Sequence, residues 1–356
     1  MKRYLAPDTI EKFVTNNKQY PFKEIGKSVN DRPIYGLQIG GGQQKVLLWS
    51  QMHGNESTTT RALLRFLKEI KEDKHTHLLD SLCLYIIPQL NPDGAHAFTR
   101  LNAAQVDLNR DAQLRSQPES QVFEKVVSQF KPDYSLNLHG QRTIFAAGKG
   151  GKPATLSFLA PAADRARTIP KQREEAMQLI ASIKDDLTGL EGAIGRYDDG
   201  FNNNCVGDRL MQMGIPTLLF EAGHYPDDYQ RNTTSKWVFK ALIACFQHIA
   251  DQDFYSKSQA DYDAIPLNSK DFVDILLSNA IVKYKGEIFK GQQLAIQYRE
   301  DVKDSKLQLT PLFHSFGSTL DLRGHKEIDL KNAENSKIFD FSVEKEAVFF
   351  ENLTIE

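Results

Sequence analysis

A histidine and a glutamate three residues apart, His53 and Glu56, stand in a short polar loop after the apolar run of residues 46–49. At a turn between a strand and a helix, this spacing can direct an imidazole and a carboxylate at one ion. Both groups are good ligands for zinc, and a catalytic zinc site takes three protein ligands and keeps one position open. The pair therefore predicts part of a zinc site and requires a third ligand elsewhere.

Two further side chains supply what a hydrolytic zinc site needs. His139 follows the apolar run of residues 134–138, and Glu221 follows the run of residues 217–220. We interpret His139 as the third ligand and Glu221 as the base. Zinc lowers the pKa of a bound water toward about 7, and a nearby carboxylate can take its proton and pass it to a leaving amine.

Polar residues between these positions are candidates for contact with a substrate. Amide hydrolysis passes through an oxyanion that needs a fixed cation beside it, and Arg100 is the candidate. Arg110, together with Asn109, could clamp a substrate carboxylate through two parallel hydrogen bonds. The alternative for Arg110 is a structural ion pair with Asp107 or Asp111.

Four apolar runs are predicted as the strands that position these residues, since each leads into one of the polar segments: 46–49, 82–87, 134–138 and 217–220. Helical spacing of apolar residues predicts helices between them. Ligands of open α/β sheets bind outside the carboxyl ends of the strands, so parallel strands would bring the four segments to one edge. We therefore predict a three-layer α/β/α fold with a mixed, mostly parallel central sheet.

Smaller elements are predicted from local signals. Residues 22–39 are typical of a hairpin that turns at Asn30 and Asp31, and residues 91–94 give a strong turn signal. Ser116 and Glu119 have the spacing of a capping box at the start of a helix.

The C-terminal part of the chain has a different pattern after about residue 254, with short alternating runs such as AIVKYKG, QQLAIQY and EAVFF. We predict a catalytic domain over residues 1–255 and a small β-rich C-terminal domain over residues 256–356. The sequence does not indicate the role of the C-terminal domain. One short helix is expected within it, near residues 272–277.

The composition limits the classes of partner and compartment. A net charge of −2 gives no sign of binding to nucleic acid or to an anionic membrane, and 40% hydrophobic residues suffice for a large core. Three cysteines without paired spacing fit a reducing compartment. With no apolar segment of signal-peptide length at the N-terminus, we expect a cytoplasmic protein, or a secreted or periplasmic one if a signal peptide has been removed.

The motifs resemble those of the zinc metallocarboxypeptidase family, the carboxypeptidase A-like enzymes, over roughly residues 20 to 250. They occur in this order: His53-Gly-Asn-Glu56, Asn91-Pro-Asp-Gly94, Arg100-Leu-Asn102 with Val106-Asp-Leu-Asn-Arg110, His139, and Phe220-Glu221. The resemblance implies the same roles for the ligands, for Arg100, Asn109 and Arg110, and for Glu221 as general base and acid.

The resemblance implies roles for two further residues. At three places the sequence differs from the usual family pattern: the position of the tyrosine, the spacing of the ligands, and the segment that sets specificity. Asp107 would orient a zinc-bound histidine, and Tyr197 would close over the substrate. Tyr197 lies 24 residues before Glu221 (221 − 197), with Phe201 as the neighbouring candidate. The gap between the second and third ligands, 83 residues (139 − 56), is short for the family. The residue that sets specificity for the terminal side chain is expected near residues 205–209.

We predict a zinc-dependent metallocarboxypeptidase with one Zn²⁺ per chain, which hydrolyses an amide bond next to a free carboxylate in a peptide or N-acyl amino acid. One alternative keeps the site and changes the substrate, as in an amidase or deacylase acting on cell-wall peptides or N-acyl amino acids. Another is a non-catalytic metal-binding module that has kept the fold. The sequence does not indicate an oligomeric state.

Overall fold

The computed structural model describes residues 3–331 and 338–341 of the chain. The helices of these residues are α1 (Pro7–Asn16), α2 (Thr58–Lys71), α3 (Leu78–Ser81), α4 (Pro92–Ala97), α5 (Pro118–Phe130), α6 (Lys171–Asp186), α7 (Val206–Gln212), α8 (Asn232–Asp251) and α9 (Gln259–Asp263). The strands are β1 (Lys23–Lys27), β2 (Pro33–Ile39), β3 (Gln44–Ser50), β4 (Leu82–Ile87), β5 (Tyr134–Gly140), β6 (Ala146–Ala147), β7 (Leu156–Leu159), β8 (Ile194–Arg196), β9 (Thr217–Ala222), β10 (Asn268–Ser269), β11 (Phe272–Tyr284), β12 (Glu287–Lys303), β13 (Lys306–Gly317), β14 (Arg323–Asp329) and β15 (Ile338–Asp340). No helix in the described parts of the chain is both long and apolar enough to cross a membrane.

The central sheet has eight strands in the order β1-β2-β4-β3-β5-β9-β7-β8. Its four middle strands, β4, β3, β5 and β9, run parallel to one another. The predicted hairpin forms β1 and β2 and adds an antiparallel edge, and β7 pairs with β9 in the antiparallel sense. The prediction of a mixed, mostly parallel sheet is confirmed, and the carboxyl ends of the four middle strands share one edge.

Helices cover both faces of this sheet. Along β3 the side chains alternate, so that Val46 and Leu48 pack in the core with α2, α6 and α8. Leu47 and Trp49 point to the other face and pack with α5 and α7. Because both faces are covered, the strands read as continuous apolar runs, and the predicted three-layer arrangement is confirmed.

The predicted capping box at Ser116 and Glu119 is wrong. Helix α5 begins at Pro118 after Gln117, without a side-chain cap. The Ser116 hydroxyl donates to Asp111 instead, and the Glu119 carboxylate accepts from the backbone of Val29 and the amide of Asn102. Hydrogen bonds to other parts of the chain therefore replace the reciprocal bonds of a capping box that the spacing of Ser116 and Glu119 suggested.

The turn signal at residues 91–94 proves to be the start of a helix. Asn91 is the N-cap of α4, where its side-chain oxygen accepts from the backbone N–H of Gly94 at 2.8 Å. Pro92 occupies the first helical position, which needs no N–H donor. The same residues that favour a turn therefore also begin a short helix.

The C-terminal part of the described chain forms a second sheet, ordered β13-β12-β11-β14, with β15 paired to β11. The β-rich character is confirmed, but the helix expected near residues 272–277 is wrong, because these residues begin β11. Both faces of that segment are buried, so it lacks the alternation that distinguishes a strand from a helix in a short apolar run. The EAVFF run lies outside the described residues, and the domain division at residue 255 stays a prediction.

Polar contacts join the second sheet to the carboxyl edge of the first. The Arg3 guanidinium binds the Glu300 carboxylate of β12, and Tyr229 donates to Asp274 of β11 at 2.9 Å. Next to them lies His224, which is 1% exposed and whose ring centroid lies 4.1 Å from that of His325. Burial, and then the neighbouring His325, Arg231 and Arg3, hold the pKa of His224 far below its usual range.

The buried His224 makes stability fall in mild acid. The unfolded chain protonates a histidine below about pH 6.5, while the folded chain keeps His224 neutral, so stability is full above that pH and declines below it by about 1.4 kcal/mol per pH unit. We expect the wild-type urea midpoint to fall more between pH 7.5 and 5.5 than that of His224→Gln.

The matched control for this change is His96→Gln, because His96 is exposed. The control should keep the wild-type difference between the two pH values. Equal losses in wild type and His224→Gln would show that His224 does not contribute to acid sensitivity.

Candidate metal centre

The loop that follows β3 is closed by a backbone hydrogen bond from Glu56 N to His53 O at 3.1 Å. This four-residue turn places the side chains of its first and last members on one side. Gly54 within the turn packs directly on the backbone of Gly94 at the start of α4; a Cβ at Gly54 would lie 1.9 Å from the Gly94 carbonyl carbon. The glycine is therefore required for the close approach of the two loops.

His53, Glu56 and His139 form the one group of potential metal ligands found in the described part of the chain, with ligand atoms within 4.8 Å of one another. Glu56 Oε1 lies 3.0 Å from His53 Nδ1, and Glu56 Oε2 lies 2.8 Å from His139 Nδ1. The two Nδ1 atoms are 3.0 Å apart. A tetrahedral zinc separates its ligand atoms by about 3.3 Å, so small movements would accommodate one ion.

The donor set also fits zinc in its chemistry. His53 Nε2 donates to Asp107 Oδ1 at 3.0 Å, which leaves the lone pair of Nδ1 for a metal. His139 directs its Nδ1 into the same cluster, while its buried Nε2 has no partner in the described residues. Two imidazole nitrogens and a carboxylate are a ligand set of catalytic zinc sites.

The electrostatics of the cluster follow from burial and from the facing charges. Burial acts to lower the pKa of His53, but Glu56 and Asp107 outweigh it and raise that pKa to about 9. Burial would raise the pKa of Glu56, but the two histidines hold it well below its usual range. Burial, more than any other cause, keeps the pKa of His139 low.

Glu221 stands beside the ligands because of strand register. It pairs with His139 across the parallel strands β5 and β9, and paired residues of neighbouring strands point to the same side. Its Oε2 is enclosed and has no hydrogen-bond partner among the described residues. Burial, and then the charge of Glu56, raise the pKa of Glu221 well above its usual value. An enclosed carboxylate oxygen without a partner is costly, which favours a role at the site.

Arg100 reaches the same cluster from the segment after α4. Its Nε and Nη2 lie 3.1 and 3.0 Å from Asp107 Oδ2, and its Nη1 is 3.6 Å from Glu56 Oε1. The guanidinium side chain remains 45% exposed, so it is open to a ligand in the cleft. Asp107 thus holds both a ligand histidine and this arginine.

Asn109 and Arg110 lie in a single 3₁₀ turn that follows Asp107. Asn109 Oδ1 accepts from Val206 N at the start of α7, and Arg110 Nη1 lies 2.7 Å from Asn109 O and 3.1 Å from Cys205 Sγ. The alternative ion pair of Arg110 with Asp107 or Asp111 is not formed in the described residues. The exposed guanidinium of Arg110 is available to an anion.

Tyr197 lies close enough to the cluster to share its electrostatics. Its hydroxyl donates to Gln141 Oε1 at 2.8 Å, and its ring packs edge-on against Phe145. Burial, and then the charges of Glu221 and Glu56, raise its pKa. The structure therefore brings Tyr197 to the site, whereas Phe201 shares none of these contacts.

The segment of residues 205–209, expected to set specificity, forms the start of α7 next to Arg110. Asp208 is 7% exposed, and burial raises its pKa to about 6. Its carboxylate accepts from the backbone of Asn202 at 3.3 Å.

Several residues that line the site carry no sequence signal of that role. A cavity of about 480 Å³ extends from Glu56 and Arg100 to the second sheet. Gln141, Arg142 and Arg231 line it, and β12 and β13 form its opposite wall. Gln141 and Arg142 lie two and three residues after His139, and this proximity is the one sequence signal for them; the other lining residues come from distant parts of the sequence.

The first third of the chain matches a family model described as zinc carboxypeptidase, over residues 9–118. Carboxypeptidase SOL1 of Arabidopsis thaliana is 29% identical over 164 residues, covering 38% of this chain and 33% of that protein. Carboxypeptidase M of Mus musculus is 31% identical over 144 residues, covering 33% of this chain and 32% of that protein. The matched region thus spans about a third of the length of each relative.

Solved structures of metallocarboxypeptidases show the same fold. The metallo-carboxypeptidase from Burkholderia cenocepacia superposes with a TM-score of 0.56 at 18% identity, covering 69% of each chain. Bovine thrombin-activatable fibrinolysis inhibitor, solved with tick carboxypeptidase inhibitor, gives a TM-score of 0.55 at 17% identity and covers 70% of this chain and 98% of that one. The family model and the shared fold together confirm the resemblance stated from the motifs, and zinc is the metal of that family.

The contact between Gly54 and Gly94 predicts a loss of metal affinity in Gly54→Ala. The new methyl group would meet backbone atoms that cannot move separately, so the turn holding His53 and Glu56 should open. We expect zinc affinity, measured by chelator competition, to fall about 10- to 100-fold, as when the support of metal ligands is disturbed.

Gly41→Ala is the matched control, because a Cβ at Gly41 would have no heavy atom within 4 Å. It should bind zinc as wild type does. Wild-type affinity in Gly54→Ala would contradict the close-packing account of this loop.

Proposed function

We propose that this chain, whose residues 9–118 match the zinc carboxypeptidase family model, is a metallocarboxypeptidase, a hydrolase that cleaves the amide bond next to a free carboxylate. The observation that carries the proposal is the position of Glu221, whose enclosed Oε2 lies beside the cluster of His53, Glu56 and His139. A metal site alone would not need a buried carboxylate oxygen without a partner at its edge.

The three ligands would hold zinc, with Asp107 keeping His53 in the tautomer and orientation that a metal requires. When bound, zinc supplies Lewis-acid polarisation and makes a water molecule a stronger acid. Glu221 takes the proton of the attacking water, whose oxygen bonds to the carbonyl carbon. As the carbon–nitrogen bond breaks, Glu221 returns the proton to the leaving nitrogen, which gives one amine and one carboxylic acid; the acid releases its remaining proton at neutral pH to the amine or to solvent.

Two groups of this chain stabilise charge during that reaction. Arg100 donates to the carbonyl oxygen as it becomes an oxyanion, from a position fixed by Asp107. Arg110 and the amide nitrogen of Asn109 receive the terminal carboxylate of the substrate. The side-chain oxygen of Asn109 already accepts from α7, which presents its nitrogen as the group to donate.

The substrate that fits these roles is a peptide or N-acyl amino acid with a free terminal carboxylate. Tyr197 would pack over the bound residue, and the start of α7 near Asp208 would receive its side chain. The names of the curated relatives, which are carboxypeptidases, support a peptide substrate.

A second candidate is an amidase or deacylase that uses the same chemistry on a short acyl group. The wall formed by β12 and β13 favours it, because this wall bounds the cavity at about 480 Å³ beside the cluster. Rates on N-acetyl amino acids and on blocked dipeptides with the same terminal residue distinguish the two. Faster cleavage of the dipeptides supports the carboxypeptidase.

Glu221→Gln tests the role of the base, because the amide keeps the shape of the side chain and cannot take a proton. We expect the zinc content of wild type and a kcat on blocked dipeptides that is lower by about 10²- to 10⁴-fold. The same dipeptides with a terminal carboxamide are the substrate control and should be cleaved poorly by wild type. Full activity in Glu221→Gln would remove Glu221 as the base.

A further inference from the structure

The cavity between the metal cluster and the second sheet is more cationic than the chain as a whole. Five arginines line it, against two carboxylates, those of Glu56 and Glu300: Arg3, Arg100, Arg142, Arg231 and Arg299. The chain as a whole carries a net charge of −2. A concentration of one sign of charge in a cleft raises the local concentration of ligands of the opposite sign.

Three of these arginines are neutralised by neighbouring carboxylates. Arg3 pairs with Glu300, Arg100 with Asp107, and Arg299 with Asp301. The surplus of positive charge therefore resides on Arg142 and Arg231. Neither forms an ion pair with a carboxylate in residues 3–331 and 338–341.

Arg231 is a buried cation held by neutral groups. It is 2% exposed, and its guanidinium donates to the carbonyl oxygens of Ala222 and Gln141 at 3.1 and 3.0 Å. Its Nε has no partner among the described residues. Burial lowers its pKa to about 10, so the group stays charged at neutral pH. A buried cation of this kind favours an anion nearby.

The acids that act on Arg231 are Glu300, Asp228 and Asp274, and each is already engaged with another donor; Glu300 accepts from Arg3. Asp228 accepts from the first backbone N–H groups of α8, and Asp274 accepts from Tyr229 and from the backbone of Tyr298. Asp228 and Asp274 do not line the cavity, whereas Glu300 does. Asp228 and Asp274 therefore moderate the positive field from outside the cavity, and Glu300, held by Arg3, moderates it from the β12 wall.

Arg142 extends this positive field at the surface. It follows Gln141, whose carbonyl oxygen is bound by Arg231, and its side chain is exposed. Its charge is also felt across the cavity: burial acts to raise the pKa of Glu300, but Arg3, Arg231 and Arg142 together hold it low. Arg142 thus faces the wall that β12 contributes.

The cavity lies on the acyl side of the bond that the proposed function would cleave. Asn109 and Arg110, which would hold the terminal carboxylate, do not line it, whereas Glu56 and Arg100 do. A substrate anchored at Arg110 with its carbonyl at Arg100 would therefore extend its preceding residue into this space. A volume of about 480 Å³ is within the range of sites for small ligands.

We propose that this cavity selects an acidic residue immediately before the cleaved bond, with Arg142 and the buried Arg231 as the groups that attract its carboxylate. The inference rests on the proposed function, because that function fixes which side of the substrate enters the cavity. Arg142 is the specificity-determining residue that can be changed without removing a buried group.

The test compares matched substrates, acetyl-Glu-Xaa and acetyl-Gln-Xaa, with Xaa varied over Ala, Phe, Lys and Glu, on the zinc-loaded full chain. The kcat/KM of the Glu substrate should exceed that of the Gln substrate. Arg142→Gln should lower this ratio by about two- to fivefold, which is the strength of an exposed ion pair. Arg165→Gln, an equal charge change at an exposed residue outside the cavity, should leave the ratio as in wild type.

The outcomes separate this inference from the proposed function. Cleavage of both substrates at equal rates, or a ratio that Arg142→Gln does not change, overturns the inference and leaves the function standing. If neither substrate is cleaved, the function fails, and calorimetry decides the inference. Tighter binding of acetyl-Glu-Xaa that weakens in Arg142→Gln supports it, and equal or absent binding overturns it.

Discussion

The parallel register of β3, β5 and β9 is the constraint on which the rest of the site depends. Ser50 pairs with Leu138, and His139 pairs with Glu221, so the three strands end at the same level. The loop with His53 and Glu56 therefore lies close to His139 and Glu221, because all of these residues follow or end strands at one edge of the sheet. Burial of both sheet faces fixes that register, because a shift by one residue would exchange the core faces of a strand.

Hydrogen bonds at the carboxyl edge of the central sheet hold the metal ligands and Arg100 in position. Asp107 holds His53 and Arg100 together, and the backbone N–H of Gly140 donates to Glu56 Oε2 at 3.0 Å. Each group that would touch zinc or substrate is thus held by another group of the chain, as a metal site requires for a defined geometry. The same arrangement gathers two buried histidines and a buried part of Glu56 beside Asp107 and the half-exposed Arg100, a concentration of charged groups that favours binding of an ion.

How much of the site the sequence predicts depends on how local its contacts are. His53 and Glu56 belong to one turn, and the strand ends that carry His139 and Glu221 are visible as apolar runs, so their meeting follows from the strand order. Tyr197 could be named only by resemblance, because its partner Gln141 follows β5 whereas Tyr197 itself follows β8, which is distant in sequence. No sequence pattern predicted that β12 and β13 form a wall of the cavity, because the sequence of a strand pair does not indicate which surface it packs against.

The wrong predictions, a helix at residues 272–277 and a capping box at Ser116 and Glu119, also arise from contacts between residues distant in sequence. The start of β11 has both faces buried, and the sequence then shows an apolar run without a period. Glu119 has the spacing of a cap but accepts from Val29, a residue 90 positions away, because the fold offers it a better-placed donor. The positive charge near Arg231 likewise arises from folding, since its carbonyl partners come from two neighbouring strand ends.

Binding of one zinc ion by His53, Glu56 and His139 underlies every role assigned to the site. Calorimetric titration of the chelator-treated full chain with Zn²⁺ at neutral pH measures this binding, with His139→Ala as the variant and His96→Ala as the surface control. We expect one zinc per chain in wild type and in the control, and a loss of at least about 100-fold in affinity in His139→Ala. A folded wild-type chain that binds no zinc, or a His139→Ala variant that binds it equally well, would show that these three residues are not the zinc ligands.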